Sequence, residues 1–324
     1  MRIADLRARA LVSQAFSLGS RALAASCGET CRSAKGAKAV RAAVLLALAT
    51  APLLAQSQST ELHIRFKSGQ PIVPIYEGWE RVPDGTFNMV FGYLNRNHVE
   101  QPIIAVGPQN NFDPGPADRG QPTFFYPREN HFLFKVNVPQ NWDRKKELVW
   151  TLTVNGKTEQ AKATLLDVWE IDRKVEVSNN GGVQTSNDLI NRDQPPVVKI
   201  DQIGRPKAGS PVTISASVTD DGIPGQGKPR APRPLEPSLR GAPPSPVNVP
   251  MPTRPRPPQG VSVLWLVYRG PAAVTFEPEG YIKVVDGKVS VKATFAQPGT
   301  YTLRAFGHDG ILRAPYDITV SVDP

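Results

Sequence analysis

Val-Thr-Asp-Asp-Gly-Ile-Pro (218–224) and Val-Ser-Val-Leu-Trp (261–265) bracket a run in which 13 of the 38 residues from 223 to 260 are proline. Proline fixes φ and removes a backbone donor, so this run is neither a helix nor a central strand. Its flanks are different. Pro-Val-Thr-Ile-Ser-Ala-Ser-Val-Thr (211–219) alternates with period two and puts Val212, Ile214, Ala216 and Val218 on one face, the mark of a half-buried strand. Residues 261–268 resume an apolar strand pattern. The two flanks therefore read as strands of one β domain, interrupted by a disordered Pro/Arg-rich insertion at 223–260.

Working outward, 197–200, 280–285, 288–295, 300–306 and 317–322 are further strands and complete a domain over 196–324. Upstream, 61–67, 86–95, 131–138, 147–154 and 157–165 have the same character. In 86–95, Phe87, Met89, Phe91 and Tyr93 share a face. Asn155-Gly156 between two alternating runs predicts a tight hairpin, because both central residues of that turn need positive φ. These strands form a first domain over 58–172, an antiparallel sandwich of about seven strands by its size and turn spacing. Residues 173–195 are polar and read as a linker. Beyond residue 56 no stretch carries a convincing helical period. The fold class is all-β, with two Ig-like antiparallel β-sandwich domains after a signal peptide.

The signal peptide is expected at 1–55. Residues 42–55 form an apolar run of 14, preceded by Lys35, Lys38 and Arg41 and followed by Gln-Ser-Gln-Ser. That length suits a cleaved leader and falls short of the roughly 20 residues of a membrane span. The alternative is an uncleaved N-terminal membrane anchor. The charged region before the apolar run is unusually long, and a start near Val40 would bring it to ordinary length. Both cysteines, Cys27 and Cys31, lie in this leader, so the mature chain uses no disulfide.

The formal charge of +9 is unevenly placed. Residues 1–55 carry +6 and residues 223–260 carry +5, which leaves −2 for the folded remainder. Basicity thus sits outside the sandwiches, which weighs against a nucleic-acid partner.

The second domain resembles a bacterial Ig-like domain of the polycystic-kidney-disease (PKD-like) type. The resemblance rests on Thr219-Asp-Asp-Gly222, Val263-Leu-Trp265, Pro298-Gly-Thr-Tyr-Thr-Leu-Arg-Ala305, His308-Asp-Gly310 and Asp317-Ile-Thr-Val320. It implies Trp265 as the core residue of a central strand, Tyr301 as a corner tyrosine and Leu303 at a core position. Trp265 is followed by Leu-Val-Tyr-Arg-Gly where the family carries Gly-Asp-Gly. The resemblance implies an extracellular spacing or interaction module. Residues 58–126 resemble N-terminal regions of uncharacterised exported bacterial proteins, which implies export alone.

Chemistry-bearing patterns are sparse. Asp220, Asp221 and Asp309 end strands and are weak candidates for a calcium site, the plainer reading being that they make turns. His63, His98, His131 and His308 are scattered, and neither a nucleophile elbow nor a phosphate loop is present, so no catalytic residue is assigned. No cofactor is expected. The loop at 107–128, with Phe112, Phe124, Phe125 and Tyr126, is either a carbohydrate- or peptide-binding groove or a surface loop whose aromatics tuck into the sandwich. The expected function is an exported, non-catalytic binding or spacer protein of the bacterial cell envelope, with an envelope polymer or protein as partner. The alternatives are a carbohydrate-binding module and a hydrolase with unrecognised carboxylates.

Overall fold

A computed structural model describes residues 66–179, 186–224 and 257–324. The leader, the start of the 61–67 strand and most of the Pro/Arg-rich insertion lie outside these residues. The described chain is built from antiparallel strands arranged as four small sheets.

Two three-stranded sheets form the first sandwich. One contains β1 (Ile72–Arg81), β2 (Phe87–Asn95) and β4 (Arg128–Val138), in the order β1-β2-β4. The other contains β3 (Asn110–Asp113), β5 (Leu148–Val154) and β6 (Lys157–Ala163), in the order β3-β5-β6. The β5–β6 turn is the expected one, with Asn155 at φ 52° and Gly156 at φ 74°. Six strands among the described residues build this sandwich, against an expectation of about seven. The sequence pattern did not indicate β1. Pro74 and Gly78 break its alternation, and both suit its position. Proline is tolerated on an edge strand. Gly78 sits at a bulge with φ 129°, where a Cβ would lie 2.5 Å from Ile171 Cγ2. That close approach lets a 3₁₀ turn (Asp167–Trp169) and Ile171 close over β1, and the Ile171 amide donates to Trp79 O at 2.8 Å.

The core of this sandwich is aromatic. Phe91, Met89 and Tyr93, on the predicted face of β2, are buried with Trp79, Phe134, Leu148 and Trp150. Trp150 stacks on Phe112 at 5.8 Å and takes edge contacts from Phe134 at 5.1 Å and Phe91 at 6.0 Å.

The second sandwich has two four-stranded sheets. One joins β10 (Val274–Glu277), β12 (Lys288–Phe295), β8 (Pro211–Thr219) and β7 (Val197–Ile200) in that order. The other joins β11 (Tyr281–Lys283), β9 (Ser262–Arg269), β13 (Gly299–His308) and β14 (Arg313–Val322). β8 and β9, the flanks of the proline run, fall in opposite sheets of this sandwich. Trp265, Tyr301 and Leu303 are buried in its core, as the Ig-like resemblance implies. The Tyr301 hydroxyl donates to Gln297 O at 2.8 Å, four residues upstream, and its ring meets Phe295 edge-on at 4.9 Å. This is the corner tyrosine of immunoglobulin-like sandwiches. Tyr301→Phe keeps the ring and loses the bond, so it is expected to cost about 1 kcal/mol. Urea denaturation checks this, and an unchanged midpoint would contradict it.

Residues 173–195 are more than an extended connection. They carry two short helices, α1 (Arg173–Asn179) and α2 (Asn187–Arg192). Val177 and Ile190 bury themselves against Ile311 and Leu312, beyond the end of β13. Ser186 caps α2 by accepting from the Leu189 amide at 3.4 Å. Two turns with so few apolar anchors carry no readable helical period. Packing on the second sandwich supplies the stability that such short helices lack alone.

Candidate functional site

Among the described residues, the buried Asp, Arg and His side chains fall in two places. The first is the junction between the sandwiches. The loop at 107–128 crosses from one to the other. Phe112 and Phe125 are buried in the first core and Phe124 in the second, with Tyr126 packed against the latter. The groove reading of this loop is thereby corrected. Its apolar rings face inward because burying them gains more than leaving them in water, so they line no surface for a sugar. The loop also closes hydrogen bonds across the junction. Thr123 N donates to Tyr268 O at 3.1 Å, and Val267 N donates to the Tyr126 hydroxyl at 3.0 Å. The Tyr268 hydroxyl donates to Gly120 O. Arg269 forks onto Asp118 at 2.7 and 2.9 Å and donates from Nε to Gln121 O at 2.8 Å. The Asp118 carboxyl is held below its ordinary range chiefly by that hydrogen-bonded pair.

Arg304 on β13 is the deepest member of the junction. Its side chain is 8% exposed. It makes a two-pronged pair with Asp317 on β14 at 2.7 and 2.8 Å and donates to Leu133 O on β4 at 2.6 Å. Its guanidinium carbon lies 3.5 Å from the centre of the Tyr268 ring. Burial is the largest influence and opposes the charge, but Asp317 and Tyr268 together outweigh it and raise the arginine above its ordinary value. A cleft of about 1010 Å³ opens beside this junction. Of the cations that line it, Arg304 is paired with Asp317, Lys135 with Glu80 at 2.8 Å, Arg81 with Glu170 at 2.7 Å and Arg269 with Asp118 at 2.7 Å, while Arg173 and Arg313 donate to the main-chain oxygens of Asp193 and His131.

The second place is one pole of the second sandwich. Asp220 and Asp221 follow β8 and make turns, as the plainer sequence reading has it. Asp220 Oδ2 accepts from Gly222 N at 3.0 Å, and Asp221 Oδ1 from Ile223 N at 2.8 Å. Asp309 follows β13 and accepts on Oδ1 from Ile311 N at 2.6 Å and Leu312 N at 2.8 Å. The structure adds a fourth acid, Asp193, which caps the C-terminus of α2. Gln194 N donates to Asp221 Oδ2 at 3.0 Å, which ties the end of α2 to the Asp220–Asp221 turn. Ile190 of α2 packs on Ile311 and Leu312, which ties it to the Asp309 turn. Asp193 is fully buried and Asp309 is 3% exposed. Neither carboxylate oxygen of Asp193, nor Oδ2 of Asp309, has a hydrogen-bond partner.

Charge crowding at this pole perturbs its titration. Burial first, then Asp309, Asp221 and Asp220, push the Asp193 carboxyl up to about 7. Burial pushes Asp309 up to about 6 against its two amide donors. Burial, then Arg313, lower His308 to about 4, and its Nδ1 accepts from Gly310 N at 2.8 Å. The two kinds of group act in opposite directions. Acids whose folded pKa is raised bind protons more tightly when folded, so they stabilise the fold as pH drops through their folded values. A histidine with a lowered folded pKa removes stability as pH drops below its ordinary 6.5. The melting temperature is therefore expected to rise as pH falls from about 8 to about 6.5, and to rise more slowly below that, where His308 offsets part of the gain from Asp193 and Asp309. Circular dichroism melts across this range check the sign, and a steady decline on acidification from pH 8 would contradict it.

No family model and no curated protein matches the chain. Among solved structures it is similar to domains 4 and 5 of the S-layer protein SbsC, at 9% identity and a TM-score of 0.23, over 55% of this chain and 66% of that one. It is similar to the D00-D0 domain of intimin at 12% identity and a TM-score of 0.24, over 78% of this chain and 100% of that one. It is similar to fibronectin(III)-like modules of Clostridium thermocellum CbhA at 8% identity and a TM-score of 0.22, over 81% and 92%. The immunoglobulin-like character of the second sandwich rests on its own paired antiparallel sheets, on buried Trp265 and on the Tyr301 corner.

Proposed function

We propose that this chain is an exported, non-catalytic protein of the bacterial cell envelope that works by binding or by spacing. The junction carries this reading. Two sandwiches, proposed as domains 58–172 and 196–324, exchange core residues and share the Arg304–Asp317–Leu133 bonds, so they act as a single body rather than beads on a flexible string. A spacing module requires such stiffness. The most perturbed carboxylates, Asp193 and Asp309, are sealed from solvent, which suits structure better than acid–base work on a substrate. Assignment of the second domain to the PKD-like type is a finer reading that rests on Trp265, Tyr301 and the Asp220 and Asp309 turns.

Export rests on the charged and apolar character of residues 1–55. The Pro/Arg-rich insertion then serves as an electrostatic tether to acidic envelope polymers. Expression of the full chain in a bacterium followed by fractionation tests the placement. The expected product is a mature chain starting near Gln56 in the envelope or periplasmic fraction, and a cytosolic chain retaining residues 1–55 would overturn it. Deletion of 225–259 is expected to weaken pull-down on envelope fractions, whereas unchanged binding would remove the tether.

A further inference from the structure

We infer that the outer edge of β14 is a docking site for an extended peptide strand of a partner protein, which adds to the sheet beside residues 315–321. β14 ends its sheet, in the order β11-β9-β13-β14. It pairs with β13 through ten consecutive residues, from Arg313 opposite His308 to Val322 opposite Gly299, without a register shift. In a strand paired on one side, alternate residues turn their main-chain N–H and C=O away from the neighbour. Leu312 O accepts from Asp309 N at 3.3 Å across the β13–β14 turn, so the even-numbered residues face β13. Asp323, just past β14, bonds the other way, donating to Pro206 O at 2.8 Å and accepting from Ala208 N at 2.8 Å. Counted back in twos, Ser321, Thr319, Asp317 and Pro315 face outward. Pro315 fits this, because its missing N–H falls on the open side and costs no ladder bond. Among the described residues, no hydrogen bond reaches the outward main chain of Asp317, Thr319 or Ser321, and all three residues are exposed.

The other strands that end sheets are protected. β3, β7, β10 and β11 are three or four residues long. β6 carries Lys157, Glu159 and Lys162 within seven residues. β1 is bulged between Tyr76 and Gly78, and its Trp79 O already takes the Ile171 amide. β4 shifts register opposite Phe91 and Tyr93, and Arg313 and Arg304 take its His131 and Leu133 carbonyls. Shortness, charge, bulges and covering groups are the means by which proteins keep sheet edges from pairing. β14 has ten residues, no bulge and no lysine, and its one charge past Pro315, Asp317, is held by Arg304. An edge left long and regular is a template for a further strand.

The edge selects the partner. Its outward N–H and C=O groups recur every second residue, and the backbone of an extended peptide carries matching groups at the same spacing. Side chains add a pattern. Tyr316 and Ile318 point toward the core but are only partly buried. A strand beside them covers the remainder with apolar side chains at alternate positions, while its other face lies beside the side chains of Asp317, Thr319 and Ser321 and is polar. The partner segment therefore alternates apolar and polar over about five to seven residues. The inference rests on the binding reading above, but peptide binding and envelope pull-down are separate measurements, so either can fail alone.

The test uses the purified mature chain and a fluorescein-labelled peptide of alternating threonine and valine, about seven residues long and flanked by lysines for solubility. In the free chain, hydrogen exchange followed by NMR is expected to find the amides of Tyr316, Ile318 and Val320 protected and those of Asp317, Thr319 and Ser321 open. The peptide is expected to bind by fluorescence anisotropy and to slow exchange at those three open amides about tenfold or more. The same peptide with proline at alternate positions lacks the donors and should not bind. Thr319→Pro removes an outward donor and no bond to β13, and is expected to weaken binding about tenfold. The exchange pattern of the parent decides the matter even if that variant does not fold. Protection of Asp317, Thr319 and Ser321 in the free monomer, or exchange there unchanged at saturating peptide, would overturn the inference. So would sedimentation as a dimer whose dilution opens these amides, because a second copy would then occupy the edge.

Discussion

Trp150→Ala is expected to destabilise the protein by about 4 kcal/mol, within the range for truncating a buried tryptophan. Trp150 is fully buried at the centre of the first sandwich. Its ring is the surface on which Phe112 stacks and against which Phe134 and Phe91 set their edges, so truncation leaves a cavity that three rings cannot jointly refill. A second cost follows. The Trp150 indole donates to Asn110 Oδ1 at 3.0 Å. Asn110 is itself fully buried, and its amide bonds Ile104 O at 3.0 Å and Pro122 O at 2.8 Å, which fixes both ends of the crossing loop. Loss of the indole donor orphans a buried acceptor, at about 1 kcal/mol or more. Trp150→Phe fills most of the space and is expected to cost less than half as much. Urea denaturation monitored by circular dichroism reads both, and a loss below about 1 kcal/mol for the alanine variant would show that the site collapses without strain.

The second large effect concerns the junction and has an asymmetry. Asp317→Ala leaves the Arg304 guanidinium buried with only Leu133 O and the Tyr268 ring for company. Breaking a buried pair from one side costs about 3–5 kcal/mol, and the lower end applies here because water reaches Asp317. Arg304→Met removes the buried charge and keeps a flexible apolar chain over Tyr268. The remaining Asp317 is 39% exposed and hydrates. That variant is expected to cost about 1 kcal/mol, the scale of the Leu133 hydrogen bond it gives up. The order of the two, with the acid variant the worse, distinguishes a buried charge held in place from a surface ion pair. If both cost less than about 1 kcal/mol, the pair behaves as a surface bridge and the junction is wetter than its geometry states.

Strands with one wet and one dry face were legible in the sequence, because alternation is a direct image of half-burial. The 211–219 and 288–295 runs coincide with β8 and β12, and Asn155-Gly156 forms the turn its chemistry demands. Trp265 and Tyr301 were placed from resemblance, and both occupy the positions it implies. What was not legible arises from tertiary packing. β1 hides behind Pro74 and Gly78, which its edge position and the overlying Ile171 tolerate. β10 is only four residues long. The helices at 173–179 and 187–192 depend on Ile311 and Leu312, far along the chain. The aromatics of the 107–128 loop gave no sign of which side they faced, because a ring reads the same in a groove as in a core. Asp193 was invisible as a site residue. It sits in a polar stretch and gains its burial and its acidic neighbours only when α2 caps the pole of the sandwich.

Differential scanning calorimetry of the mature chain is the most direct test that the two sandwiches form one body. The account predicts a single transition with calorimetric and van't Hoff enthalpies in a ratio near one, as about 1.0 is expected for an all-or-none unit. It also predicts that Asp317→Ala lowers that transition as a whole. Two separate transitions in the parent chain, only one of them moved by Asp317→Ala, would contradict it.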